Sequence, residues 1–338
     1  MFVTIIVSLI IFGLLIFVHE LGHFLAARMA KIKVLEFALG MGKEIISWEK
    51  GETRYTIRIF PLGGFCRMLG EDPDDPQQED SFMQKSVGKR LGVIAAGSVM
   101  NFFLGIVLLF VIFFFILGIP QTNLSMIGGV LPDSRAYIAG LQEKDLILSV
   151  NETNVSTWED LVDEIHSNPE KTLDLRIRRN MEEISLTVVP EEVDGQGLIG
   201  VTPLYKKYAL LPSLSLGFKN FYFWFKFIYV GLYQMIMRII PADVAGPVGI
   251  VSVIGEVMQE GMSNLFSLTA IISINLGIMN LLPIPALDGS KLLFLILEWI
   301  RRKPFDPRKE SYVHLVGFAL LILLMVLVAI HDIYRLIN

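Results

Sequence analysis

The chain holds one cysteine, Cys66, in 338 residues, so no disulfide can form within it. A lone thiol in an apolar stretch reads as a small buried residue, not a catalyst. Charge is scarce as well, with Asp, Glu, Lys and Arg making up 19% of the chain. The net charge of −5 leaves no basic excess to neutralise phosphates, so no nucleic-acid partner is expected. The scarcity is uneven: residues 2–18 carry no charged side chain at all. With 53% hydrophobic residues and a mean hydropathy of +0.57, the composition is that of an integral membrane protein.

A membrane span needs about 20 apolar residues, and four stretches qualify: roughly 2–27, 93–119, 264–286 and 312–334. The first lacks the basic start of a signal peptide and outruns the usual apolar core of one, so it reads as a retained membrane helix. Basic residues flank the spans asymmetrically. Arg28, Lys31 and Lys33 follow the first, Lys85, Lys89 and Arg90 precede the second, and Arg301, Arg302, Lys303, Arg308 and Lys309 lie between the third and fourth. Residues 120–134 have none. All three clusters fall on the cytoplasmic side if both termini are extracytoplasmic, with 28–92 and 298–311 inside and 120–263 outside.

Inside the first span stands His19-Glu20-Leu21-Gly22-His23. On a helix the two histidines lie one turn apart on one face and can reach one metal, while Glu20 beside them can take a proton from water. The motif alone also arises by chance, and paired histidines in a membrane helix can be structural or bind haem. In the third span Pro283 and Pro285 must interrupt the helix, and Asp288 follows at its edge. An ionised residue at membrane depth needs a partner. By the charge topology His19, His23 and Asp288 all lie toward the cytoplasmic ends of their spans, so they meet at similar depth. Two histidines and a carboxylate form the open three-ligand set of catalytic zinc. The plainer reading has Asp288 capping a helix over 290–300.

The remaining segments have their own expectations. Residues 44–60 read as a hairpin turning at Glu49-Lys50-Gly51-Glu52. The apolar, glycine-rich Phe60–Phe65 can let a second backbone come close, and a plain surface sheet fits equally well. Glu71–Asp80 reads as a solvated acidic loop. Ala95-Ala96-Gly97-Ser98 reads as close helix packing, with Asn101 an interhelical hydrogen-bond donor. Residues 122–204 form a compact domain with strands at 127–131, 146–150, 173–178 and 184–189 and a helix over 158–166. Its Ala139–Asn151 stretch resembles the core of PDZ domains, with Lys144 and Glu152 where that pattern has glycine. Peptide binding by strand addition and a steric filter are both open for it. Phe218–Tyr233 reads as an interfacial amphipathic helix, since a fifth span would put the Arg301 cluster outside. Residues 241–250 read as turn and loop. His166 is expected at the surface, and His314 and His331 have no ligand spacing.

Together these residues resemble the site-2 protease family of intramembrane zinc metalloproteases, in its bacterial RseP/RasP-like group. The likeness extends to Pro61-Leu62-Gly63-Gly64-Phe65, Lys85-Ser86-Val87-Gly88, Ala95-Ala96-Gly97, Asn101, Gly246-Pro247-Val248-Gly249 and Asn280-x-x-Pro283-x-Pro285-x-Leu287-Asp288-Gly289. A single PDZ-like insert is the RasP-type arrangement. Ser98 replaces a frequent Pro, and Ser290-Lys291 a frequent Gly-His, neither touching an expected ligand. The resemblance implies one zinc per chain on His19, His23 and Asp288, with Glu20 as general base. It implies that Gly63, Gly64 and Phe65 belong to a membrane-associated β-loop presenting substrate as an extended strand, and that Asn275 or Asn280 contacts substrate backbone. Implied partners are transmembrane proteins, such as an anti-sigma factor, already cut once by another protease. The implied location is the bacterial plasma membrane.

The expected fold is a polytopic α-helical membrane protein with four transmembrane helices, a membrane-associated β-hairpin and one extracytoplasmic PDZ-like α+β domain. Its segments are 1–28 (first span), 29–92 (cytoplasmic β region), 93–119 (second span), 122–204 (PDZ-like), 205–262 (interfacial), 263–300 (third span and following helix) and 312–334 (fourth span). Two rival functions are a metal transporter lined by His19, His23 and Asp288, and a membrane scaffold working through its PDZ-like domain. The first gives Glu20 no task, and the second gives the metal motif none.

Overall fold

A computed structural model describes residues 2–72, 74–240 and 246–337. The chain divides into two compact units, Met1–Phe110 with Gly217–Asn338, and Val111–Leu216. Among the described residues four helices are long and apolar enough to cross a membrane: Phe2–Met29, Val87–Ile116, Met262–Leu281 and Arg308–Asp332.

In the first unit, helix α1 (Phe2–Met29) has neither proline nor an interior charge until Glu20. It ends where Lys31 turns left-handed (φ 56°) and the Ile32 N–H reaches back to the Ala27 carbonyl, a C-terminal closure that satisfies the last carbonyls. Helix α2 (Val87–Val111) crosses α1 where Gly22 meets the Ala96 backbone, too close for any side chain at Gly22. It begins six residues before the expected 93 and passes into a π turn over Ile112–Ile116.

Between them lie two long strands, β1 (Val34–Lys50) and β2 (Thr53–Met68). The outer hairpin pairs Lys50 with Thr53, Trp48 with Tyr55 and Ile46 with Ile57, turning at Gly51 as expected. The strands then continue past the expected limits. Residues 36–39 pair on one side with 54–57 and on the other, antiparallel, with 64–67 (Ala38 with Phe65, Leu39 with Gly64). Left-handed Gly40, Gly42 and Gly63 supply the bends, because a Cβ at Gly40 would lie 2.6 Å from the Phe60 carbonyl oxygen. Of the two readings open for Phe60–Phe65 the sheet holds for its end, where 64–67 form an edge strand, and among the described residues no strand pairs with its other side. Phe37 anchors the sheet on α1, its ring centroid 5.4 Å from Phe24 and 6.0 Å from Phe17.

The later helices are α5 (Leu210–Ile236), which begins in the second unit, α6 (Pro247–Val257), α7 (Met262–Leu281), α8 (Asp288–Arg301) and α9 (Pro307–Ile337). Helix α5 is not among the four apolar spans, and its Phe221 and Phe225 pack edge-on against Phe102 of α2. The loop reading of 241–250 holds only in part: 241–245 lie outside the described residues, and from Pro247 the chain is helix. Proline at the first helical position, where its missing N–H costs nothing, explains that start. The buried Asp332 carboxylate of α9 accepts the N–H groups of Gly246 (3.3 Å) and Gly249 (2.9 Å), capping α6 from across the sequence. Pro283 and Pro285 do break the chain between α7 and α8, through extended Leu282 and left-handed Ala286 (φ 76°).

The second unit contains β3 (Ile119–Pro120), β4 (Ile127–Val130), α3 (Arg135–Ile138), β5 (Leu146–Val150), β6 (Thr153–Asn154), α4 (Trp158–His166), β7 (Leu173–Arg179), β8 (Glu182–Val188), β9 (Glu191–Val193), β10 (Gln196–Leu198), β11 (Val201–Pro203) and β12 (Tyr205–Lys206). All four expected strands are present. Strands β6, β5, β7 and β8 form one sheet in that order, β4 pairs with β11 and β3 with β12. Its core joins Ile147, Leu161, Leu173, Leu175 and Ile177. Helix α4 opens with a reciprocal cap: Thr157 Oγ1 accepts the Asp160 N–H, and Asp160 accepts the N–H groups of Thr157 and Ser156. Those backbone bonds, from Thr157 first, hold the Asp160 carboxyl down at about 2. Of the two missing glycines, Lys144 takes a left-handed φ of 72° whereas Glu152 does not.

Candidate metal centre

His19 and His23 leave α1 on the face turned to α2 and are both buried. Their Nε2 atoms stand 3.2 Å apart, and Asp288 Oδ2 lies 3.1 Å from each. Ligands about 2.0–2.1 Å from a tetrahedral zinc are separated by roughly 3.3 Å, so this triangle has the dimensions of one face of such a site. Asp288 heads α8 yet makes no capping bond there, because its carboxylate faces the histidines.

The hydrogen bonds behind the rings decide what the triangle can hold. His23 Nδ1 lies 2.9 Å from the Val93 carbonyl and can only donate to it, which leaves a lone pair on Nε2 of the neutral ring. His19 Nδ1 lies 3.1 Å from the buried side-chain amide of Asn101. Asn101 Oδ1 and Asp288 Oδ2 are buried without a hydrogen-bond donor. A half-turn of the Asn101 amide, whose two ends are isosteric, lets Oδ1 accept the Nδ1 proton and frees Nε2 of His19. Three acceptors then converge with no proton between them, and a cation fits that arrangement as a further hydrogen bond does not. Among the described residues these are the three that could ligate one ion together.

Small residues admit this geometry. A Cβ on Gly97 would lie 2.5 Å from His23 Nε2 and 2.6 Å from His19 Cε1. A Cβ on Gly64 would lie 2.9 Å from the Ala38 carbonyl oxygen and 3.1 Å from Glu20 Cγ, so β2 comes up directly beside Glu20. His19, Glu20, His23, Gly64, Phe65 and Asp288 share the wall of one cavity of about 370 Å³. Cys66 lines it too, and burial, with Glu20 and Glu71 nearby, pushes its thiol well above the ordinary range. Beneath the sheet, burial opposes charge on Glu36, but Arg58 (2.6 Å) and Thr56 (2.7 Å) hold its carboxyl below the usual range. Arg58 in turn stacks over Phe65, 5.0 Å from the ring centroid.

The chain matches the model of peptidase family M50 over residues 7–324. The chain belongs to that family. M50 enzymes are metalloproteases, and this protein is an enzyme of that class, a multi-pass membrane protein by its apolar helices. The zinc metalloprotease RasP of Geobacillus kaustophilus is 35% identical, with 98% of each chain covered. The regulator of sigma-W protease RasP of Bacillus subtilis is 35% identical, covering 98% of this chain and 99% of its own. A solved PDZ domain of an SdrC-like protein from Listeria monocytogenes overlaps 24% of this chain and 88% of its own at 20% identity and a TM-score of 0.23, too slight a likeness to argue from.

Not every expected site residue converges. Asn280 comes within 3.5 Å of the His19 ring. Asn275 is exposed, about one and a half turns earlier on α7, and Gly63 packs under Met41. Sequence reasoning missed the Val93 carbonyl and the second task of Asn101. The Gly97-x-x-x-Asn101 spacing, one turn on the face of α2 toward α1, was the available signal. His314, expected without a role, touches Ser290 Oγ and the Ala286 N–H, both at 3.3 Å, and so steadies the turn before Asp288. The acidic loop is not wholly solvated: Asp75 holds Arg67 and the Gly70 N–H, each at 3.1 Å, and Glu71 pairs with Lys291.

Proposed function

We propose that the protein is an intramembrane zinc endopeptidase that hydrolyses a peptide bond inside the transmembrane segment of a single-span protein already trimmed by a first protease. The observation that carries this reading is the triangle of buried His19 and His23 with part-buried Asp288, set between apolar helix α1 and the start of α8. One zinc per chain is held by those three residues. When bound it polarises a carbonyl as a Lewis acid and makes water acidic enough to deprotonate near pH 7.

Each other step belongs to the chain. Glu20, next to His19 and in the same cavity, accepts a proton from the attacking water. The water oxygen bonds to the scissile carbonyl carbon, the C–N bond breaks, and Glu20 returns the proton to the leaving amine. Val93 and Asn101 hold the two imidazoles in one tautomer throughout. A helical peptide bond is shielded and internally hydrogen-bonded, so the substrate must unwind first. The open edge at 64–67, beside Glu20, takes the unwound segment by main-chain pairing, and Asn280 contacts its backbone.

The basic clusters favour a plasma-membrane topology with both termini extracytoplasmic. In that topology the domain at 122–204 lies outside, where it excludes substrates that keep a bulky ectodomain or contacts peptide. A relative named for regulating sigma-W makes an anti-sigma factor the first substrate class to try. Purified Glu20→Gln protein tests the reading: it should keep near-stoichiometric zinc, lose cleavage and retain substrate for identification by mass spectrometry. Wild-type cleavage by that variant would sink the mechanism.

A further inference from the structure

Below the metal centre the cavity wall is closed by an ion pair that the proposed chemistry does not use. After β2 ends at Met68, left-handed Gly70 (φ 74°) reverses the chain; a Cβ there would lie 2.6 Å from Ser81 Cβ. Asp75 clamps this turn by accepting from the Gly70 N–H and Arg67. The reversal carries Glu71 back over the cavity, where its carboxylate meets Lys291 Nζ at 2.5 Å. Lys291 lies three residues beyond Asp288, so the two side chains share a face of α8.

Both partners are part-buried, Lys291 at 33% and Glu71 at 24% side-chain exposure. The pair, with Asp72 and Ala286, walls both the catalytic cavity and an adjoining one of about 440 Å³. Among the described residues it is also the one ion pair or hydrogen bond between the stretch 64–72 and α8. The two sides it joins are the strand edge beside Glu20 and the helix bearing Asp288. Among the described residues no other polar bond joins these two directly, and the apolar cluster that holds Met68 and Leu295, with Leu292 packed against it, tolerates sliding in a way a close charged contact does not.

We propose that Lys291 is a positioning residue: through Glu71 it sets the spacing between the substrate-receiving edge of β2 and the Asp288 helix, and so places the scissile bond over the metal. This rests on the reading of the site given above. The ammonium touches neither a metal ligand nor the reacting atoms. Its effect falls on chemistry more than on binding, because an edge strand pairs with a substrate wherever it sits, whereas about 1 Å of misplacement can cost up to roughly 100-fold in rate.

The test uses the full chain in proteoliposomes with a fluorogenic transmembrane peptide carrying a central Gly-Pro. Lys291→Met and Glu71→Gln should each lower kcat about tenfold or more, with KM within about threefold and zinc content and thermal midpoint unchanged. The double variant should be no worse than either single one, and Lys291→Arg should restore most of kcat. If Lys291→Met proves unstable, the isosteric Glu71→Gln alone decides. A kcat for Glu71→Gln within about twofold of wild type overturns the proposal, as does a double variant whose losses multiply. Glu20→Gln in the same assay separates the two readings. If it cleaves like wild type, or wild-type cleavage needs no zinc, the proposed function falls and this inference with it. If Glu20→Gln is dead while Lys291→Met and Glu71→Gln match wild type, only the positioning role falls.

Discussion

The side-chain amide of Asn101 lies 3.1 Å from Nδ1 of His19, on the far side of the ring from Asp288. The backbone carbonyl of Asn101 is itself held by Ser273 Oγ of α7 at 2.7 Å, so three helices fix one imidazole. Replacing Asn101 by Leu leaves the Nδ1 proton without an acceptor. Zinc affinity should fall about 10–100-fold, read by competition with a chromogenic chelator. Wild-type affinity in that variant would refute the tautomer argument.

Gly97 is the second test of the centre. A methyl group there would sit 2.5 Å from His23 Nε2, and neither helix backbone nor a metal-facing ring can yield that space cheaply. Gly97→Ala should therefore purify folded but with well under one zinc per chain, and cleavage should drop about 100-fold or more. Full metal occupancy by elemental analysis would show that the rings can move aside.

Lys144 holds a left-handed conformation that costs a side-chain-bearing residue about 1–2 kcal/mol, offset in part by the extra freedom glycine loses on folding. Lys144→Gly should stabilise the 111–216 unit by about 0.5–1 kcal/mol. Slower hydrogen exchange at β5 and β7 is the readout, and faster exchange would count against it.

Acid should loosen α4. The Asp160 carboxyl is held near 2 in the folded chain and stands near 3.9 when unfolded. Its stabilising contribution is therefore complete above about pH 4 and is lost as pH falls toward 2. In a variant keeping only Trp158, the urea midpoint read from its fluorescence should fall more between about pH 4 and 2 than it does in the Asp160→Asn counterpart. Parallel acid profiles for the two would remove Asp160 as the cause.

How much of this was legible in the sequence depended on the range of the interaction. His19 and His23 follow from helix period alone, and Asp288 followed once charge asymmetry fixed the depth of two spans. The outer hairpin followed from alternation and a glycine turn. A sheet at Phe60–Phe65 was one of two open readings, but the pairing of 64–67 with 36–39 was not legible, because it depends on glycine bends that composition does not place. Helix α6 was hidden for a related reason: Gly246-Pro247 punctuates a chain whether it opens a helix or a turn. Its cap, Asp332, lies more than eighty residues downstream. Lys291 and Glu71, on either side of most of the chain, carry no mutual signal in one sequence.

The unpaired side of residues 64–67 has a last consequence. Such an edge grips N–H and C=O groups that every residue but proline offers alike, so it is nearly blind to which side chains pass along it. Discrimination then moves from spelling to mechanics. If the proposed substrate edge operates, the membrane segments that reach the site are those whose helices yield easily, and a segment is chosen by how readily it comes undone.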